Sequence, residues 1–122
     1  MDGRCARDAR GLRPGIDYDA VVASTDSEAI QVISELRKRG IRVPEDVAVT
    51  GLHDSQEARA VTPPLTTARM PWRRMGMRAA EVLLDWIAGC SPPECELVPL
   101  RLVVRRSCGC QDPEVAAAAV VS

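Results

Sequence analysis

Two short β-branched runs with a helical pattern between them constrain this chain more than any other feature. DAVVAST (19–25) and VAVTGL (47–52) are each long enough for one buried strand and too short for a helix. Between them, Asp26 and Ser27 open a segment in which Ala29, Ile30, Ile33 and Leu36 recur at helical spacing, with Val32 on the flank. Arg37, Lys38 and Arg39 fall in its last turn, where cations suit the helix dipole, and Gly40 stops it. Pro44 and Asp46 mark the loop into the second run. The order strand, helix, strand fits a right-handed βαβ unit with parallel strands, so the expected fold class is α/β.

Downstream, SQEARAV (55–61) reads as a short helix broken by Thr62-Pro63-Pro64, and LTTARM (65–70) as a short extended segment. Pro71 suits a helix start. From there Met75, Ala79, Val82, Leu83, Trp86 and Ile87 share one face, with Arg73, Arg74, Arg78, Glu81 and Asp85 on the others and Gly89 just past the end. Glu96 to Leu100 and Leu102 to Val104 read as two short strands bent at Pro99. The expected organisation is a poorly ordered leader over 1–16, a packed unit over 17–110 and a tail or linker over 111–122. With no Phe in the chain, aliphatic side chains must fill the core.

Sixteen basic residues against seventeen acidic give a net charge of -1. That weighs against strong non-specific nucleic-acid binding, and no helix-turn-helix pattern is present, so no direct DNA binding by this chain is expected. No stretch approaches the roughly 20 apolar residues of a membrane span. The N-terminus lacks the apolar core of a secretory signal. A cytoplasmic location with no membrane contact is the expectation, in which the five cysteines stay reduced.

In open parallel α/β sheets, ligands bind beyond the carboxyl ends of the strands. Ser24-Thr25-Asp26 and Leu52-His53-Asp54 are two such ends, each putting polar residues directly after an apolar run. Thr25, Asp26, His53 and Asp54 are therefore the candidate ligand-binding residues. The competing reading is that Asp26 only caps a helix and His53-Asp54 is only loop polarity. Catalysis is disfavoured. Adjacent residues at a strand end point to opposite faces, so His53 and Asp54 are poorly placed to bond each other, and there is no Gly-x-Ser-x-Gly elbow. Zinc is disfavoured too. Cys90 and Cys95 are a C-x4-C pair, Cys108 and Cys110 form an awkward C-x-C, and the one His is far away. No catalytic residue, metal or cofactor is expected. Trp72 with Arg73 and Arg74 reads as a solvated face.

DAVVASTDSEAI, LRKRGIRVPEDVAVTGLHD, TPPLTTARM, GMRAAEVLLDWIAG and LRLVVRRSCGC, in that order, resemble the effector-sensing domain of the LacI/GalR (lactose-repressor) family. The match runs from about Asp17 to Cys110. The resemblance implies a type I periplasmic-binding-protein-like (Rossmann-like) fold, a parallel sheet with flanking helices, of which this chain carries the C-terminal part without the first lobe. It implies a sensor and not an enzyme: a ligand-binding and dimerising portion of a transcriptional regulator or of a sensor-protein input domain. Two family positions commonly hydrogen-bond effector hydroxyls, usually Asn where Thr25 stands and Asp where His53 stands. Gln31 replaces a usual Gly. The expected partner is a small-molecule effector, sugar-like or an anionic metabolite, the latter because His can donate and carry charge. The alternative is a dimerisation module that has lost effector binding. The resemblance also implies a homodimer contact at Ile30, Ile33 and Val61. It further implies that the helix over 71–89 packs on a sheet this chain does not contain.

Overall fold

The computed structural model describes residues 11–114. Within them the βαβ unit forms as its pattern dictates. β1 (Ala20–Val22) leads into α1 (Asp26–Lys38) and then β2 (Ala48–Leu52). α2 (Gln56–Ala60), β3 (Thr66–Arg69), α3 (Trp72–Ile87) and β4 (Arg101–Val103) follow. One four-stranded sheet has the order β1-β2-β3-β4. The first three strands are parallel, with Val22 opposite Thr50 and Thr50 opposite Thr66. β4 runs antiparallel to β3, with Arg69 opposite Arg101.

The helix N-cap is Thr25, whose Oγ1 accepts from the Glu28 N–H, so the capping residue precedes Asp26. Ala29, Ile33 and Leu36 follow at the i, i+4, i+7 spacing of a single helical stripe. That stripe meets Val47 and Val49 from the second run, Ala58 of α2 and Leu65, and these seven residues form the buried core. Ile30 and Val61 are half-buried and pack against it. Ile33, expected at a dimer contact, is 2% exposed and belongs to this core, because it lies on the stripe that faces the sheet.

β4 begins one residue earlier than expected, at Arg101, and 96–100 form no strand. β3 gives way to α3 soon after Arg69, so a strand over those residues has no ladder partner, and Pro99 lacks a donor. Ser107, in the turn after β4, instead bridges the starts of β2 and β3. Its carbonyl accepts from the Val49 N–H at 2.9 Å, and its Oγ donates to the Val49 carbonyl at 2.5 Å and accepts from the Thr66 N–H at 2.8 Å. The expected leader is described only from residue 11 and the expected tail only to residue 114. The rest of both lies outside the described residues.

α3 is the helix its periodicity predicts, but none of its residues is buried. Leu83, Trp86 and Ile87 are more than half exposed. The sheet face away from α1 is also open, with Val22 84% and Leu102 67% exposed. No helix among the described residues is long and apolar enough to cross a membrane.

Gly51 is fixed by close packing and not by backbone angle. A Cβ there would overlap Asp26 Oδ1 and come within 3.0 Å of Leu65 Cδ2. Asp26 cannot yield, because both of its oxygens are bonded. Gly51→Ala is expected to lower stability by about 1–3 kcal/mol, the usual cost of overpacking. Urea unfolding of the variant beside Gly76→Ala, where a Cβ meets nothing within 4 Å, checks this.

Candidate ligand-binding rim

Parallel pairing of β1 with β2 brings their carboxyl ends to one edge, so Thr25 and His53 share a rim. The backbone turns sharply there. His53 has φ 114° and Asp54 φ 59°, a region that non-glycine residues rarely adopt and that costs of order 1–3 kcal/mol each. The turn is held by hydrogen bonds from its own backbone. The His53 N–H donates to the Ala68 carbonyl at 2.9 Å, the Asp54 N–H to Thr67 Oγ1 at 3.4 Å, and the Ser55 N–H to Asp26 Oδ2 at 2.7 Å.

Both carboxylates at the rim are buried. Asp26 is 1% exposed, and its Oδ1 accepts from Thr67 Oγ1 at 2.6 Å. Thr67 thereby links Asp26 to the Asp54 backbone. The Asp54 side chain is 1% exposed and meets three guanidinium groups. Arg105 Nη2 lies 2.5 Å from Oδ1, while Arg69 Nη2 at 2.5 Å and Arg59 Nη2 at 3.2 Å share Oδ2. Burial pushes the Asp54 carboxyl up, but the hydrogen bonds from Arg105 and Arg69 and their charges outweigh it and hold the group below the usual carboxylate range. Asp26 and Asp54 were both expected to touch a ligand. Each of their carboxylate oxygens accepts at least one hydrogen bond from the chain itself.

His53 and Thr25 are the rim members with capacity left. Neither imidazole nitrogen has a hydrogen-bond partner among the described residues, and the ring is half-buried. Thr25 Oγ1 accepts one bond as the helix cap and keeps its proton for donation. Beside His53 stands Trp72, with ring centroids 5.5 Å apart and planes tilted by 51°. Trp72 is 57% exposed, in line with the solvated face expected from its sequence context. Its proximity to His53 depends on how β3 and the start of α3 approach the end of β2, which no local pattern reports. Among the described residues no group of three His, Cys, Asp or Glu side chains could hold a metal ion.

The family profile described as a periplasmic binding protein-like domain matches residues 2–108. The chain is 35% identical over 97 residues to the transcriptional repressor MelR of Bacillus subtilis, covering 80% of this chain and 28% of MelR. Its structure superposes on a complex of the transcriptional regulator CelR with cellobiose at a TM-score of 0.68 and 40% identity, over 73% of this chain and 28% of that one. It superposes on the lac repressor dimer bound to operator and an anti-inducer at a TM-score of 0.69 and 28% identity, over 73% and 31%. The chain belongs to the LacI/GalR family of periplasmic-binding-protein-like domains. It spans less than a third of the length of these relatives, which are named as regulators and not as enzymes. The family match begins at residue 2, inside the stretch read as a leader.

Asp54 sets an acid-sensitive part of the stability. Its folded pKa lies below the unfolded value of 3.8, so its contribution is fully present above that value and is lost as pH falls through the lower folded one. Asp54→Ala, which takes the carboxylate from the buried Arg105, is expected to cost about 3–5 kcal/mol at neutral pH. It should also flatten the decline of stability below pH 3.8. Urea midpoints across that range check both expectations.

Proposed function

We propose that this chain is the C-terminal lobe of a cytoplasmic, homodimeric small-molecule sensor in a LacI/GalR-type regulator, with Thr25 and His53 as its ligand contacts. The observation that carries the reading is His53 itself. It is a half-buried imidazole in a rarely adopted backbone conformation, with no hydrogen-bond partner among the described residues and an aromatic ring 5.5 Å away. Strain of this kind persists where the surroundings enforce it and is concentrated at ligand sites. The complex of CelR with cellobiose and that of the lac repressor with an anti-inducer support a small-molecule role for the same fold.

The effector would lie between this rim and a first lobe, with Trp72 as an apolar wall. A neutral imidazole offers one donor and one acceptor, which suits a hydroxyl, and an imidazolium would favour an anion. The effector acts by binding one lobe arrangement better than the other, since only differential affinity shifts an equilibrium. Asp26 and Asp54 serve by fixing the rim. DNA contact belongs to other parts of such a regulator.

Dimerisation is assigned to the surface of α1 and the end of α2, where Ile30 and Val61 are half-buried against the core. With Ile33 in the core, Ile30 and Val61 are the two of the three expected contact residues that keep part of their surface accessible. A reading in which this surface is the whole function, with no effector, is favoured by the same residues and is separated by the ligand titration below.

In a chain completed with a first lobe, calorimetric titration of cellobiose and of small organic acids at pH 5.5 and pH 7.5 is expected to find one binder. His53→Ala should weaken it about ten-fold, roughly 1.4 kcal/mol. Tighter binding at the lower pH marks an anion, and unchanged affinity in both His53→Ala and Thr25→Ala removes the rim assignment. No binder of either class leaves the dimerisation reading.

A two-fold contact meets each charge twice, so Val61→Glu should shift the sedimentation of this chain from dimer to monomer. A dimer that persists in both Val61→Glu and Ile30→Glu rules that surface out.

A further inference from the structure

We propose a second binding site at the opposite end of the sheet, for a small organic anion with an apolar body. A groove of about 640 Å³ opens there between the loop after α1, the Thr62-Pro63 turn and the residues following β4. The size falls within the roughly 300–1,000 Å³ of small-molecule sites and is small for a folded partner. Its lining combines apolar surface from Ile41 and Pro44 with the guanidinium groups of Arg37, Arg42 and Arg106, against one carboxylate, Glu45.

The three arginines are not equivalent. Arg42 is neutralised: Nε and Nη2 donate to Asp46 at 2.9 and 2.6 Å, and the pair holds the Asp46 carboxyl down at about 2. Arg37 donates to the Thr62 carbonyl, a neutral acceptor that orients the guanidinium and leaves its charge uncompensated. Arg106 is anchored through its backbone, which donates to the Pro64 carbonyl at 3.1 Å, and its side chain has no partner among the described residues. Two uncompensated planar cations thus flank an apolar surface. Guanidinium forks match carboxylate and phosphate oxygens, and the apolar lining would take the rest of such a molecule. The groove adjoins the amino ends of β2 and β3, whereas the rim of His53 lies at their carboxyl ends. It is independent of the effector site.

Phenyl phosphate is the probe and benzyl alcohol its uncharged control, each titrated into the 122-residue chain while backbone amide resonances are followed. The expected result is saturable shifts at Gly40, Ile41 and Gly109 with phenyl phosphate, weakened by salt. Affinity should fall by about ten-fold or more in Arg106→Ala, the loss of one charge-assisted hydrogen bond, with partial recovery in Arg106→Lys. Arg106→Ala removes only an exposed side chain, and Arg37→Gln gives a second variant if folding is altered. Absence of those shifts at millimolar probe overturns the site. So do equal binding of benzyl alcohol, an affinity unchanged in both variants, or shifts confined to His53 and Trp72.

Discussion

The carboxylate of Asp54 ties together parts of the chain that sequence keeps apart. It accepts from Arg59 five residues on, from Arg69 fifteen on and from Arg105 fifty-one on, which joins α2, β3 and the segment after β4 to the end of β2. A carboxylate with 1% side-chain exposure must be paired, and this one is paired three times. Arg105 is itself 5% exposed and also donates to the Leu65 carbonyl, so the pair is buried at both ends. The rim, the start of β3 and the return strand depend on this cluster.

A second buried carboxylate works alongside it. Asp26 accepts from Thr67 and from the Ser55 backbone, and Gly51 leaves the space it occupies. Both acids at the rim are thereby consumed in holding a strained turn, and that turn carries the histidine that remains uncommitted. The division of labour is electrostatic. The two carboxylates satisfied internally are buried, and the half-buried imidazole of His53 has no internal hydrogen-bond partner among the described residues.

The two ends of the sheet differ in how charge is balanced. At the carboxyl end, three arginines converge on Asp54. At the amino end, Asp46 compensates Arg42 while Arg37 and Arg106 keep their charge. Between them, the core is confined to the face covered by α1 and α2. α3 and the other sheet face keep their apolar residues exposed, in a chain that spans less than a third of its relatives' length.

The sequence by itself determined the βαβ unit, since Ala29, Ile33 and Leu36 at helical spacing between two β-branched runs leave few other ways to bury them. It also located the rim, because polar residues following parallel strands must lie at their carboxyl ends. The periodicity of α3 was equally legible, though a helical stripe says that a face is apolar and not what covers it. Only the tertiary structure decided which rim residues are free. The internal partners of Asp26 and Asp54 were not legible in sequence, because Thr67 and Arg105 lie 41 and 51 residues away. Trp72 is surface as its pattern implies, at 57% exposed, and only its contact with His53 lay beyond local pattern. The role of Ser107 was hidden likewise, because its bonds to Val49 span 58 residues. Local pattern reports period and polarity, whereas the pairing of a buried charge is a long-range fact that appears only when the chain has closed on itself.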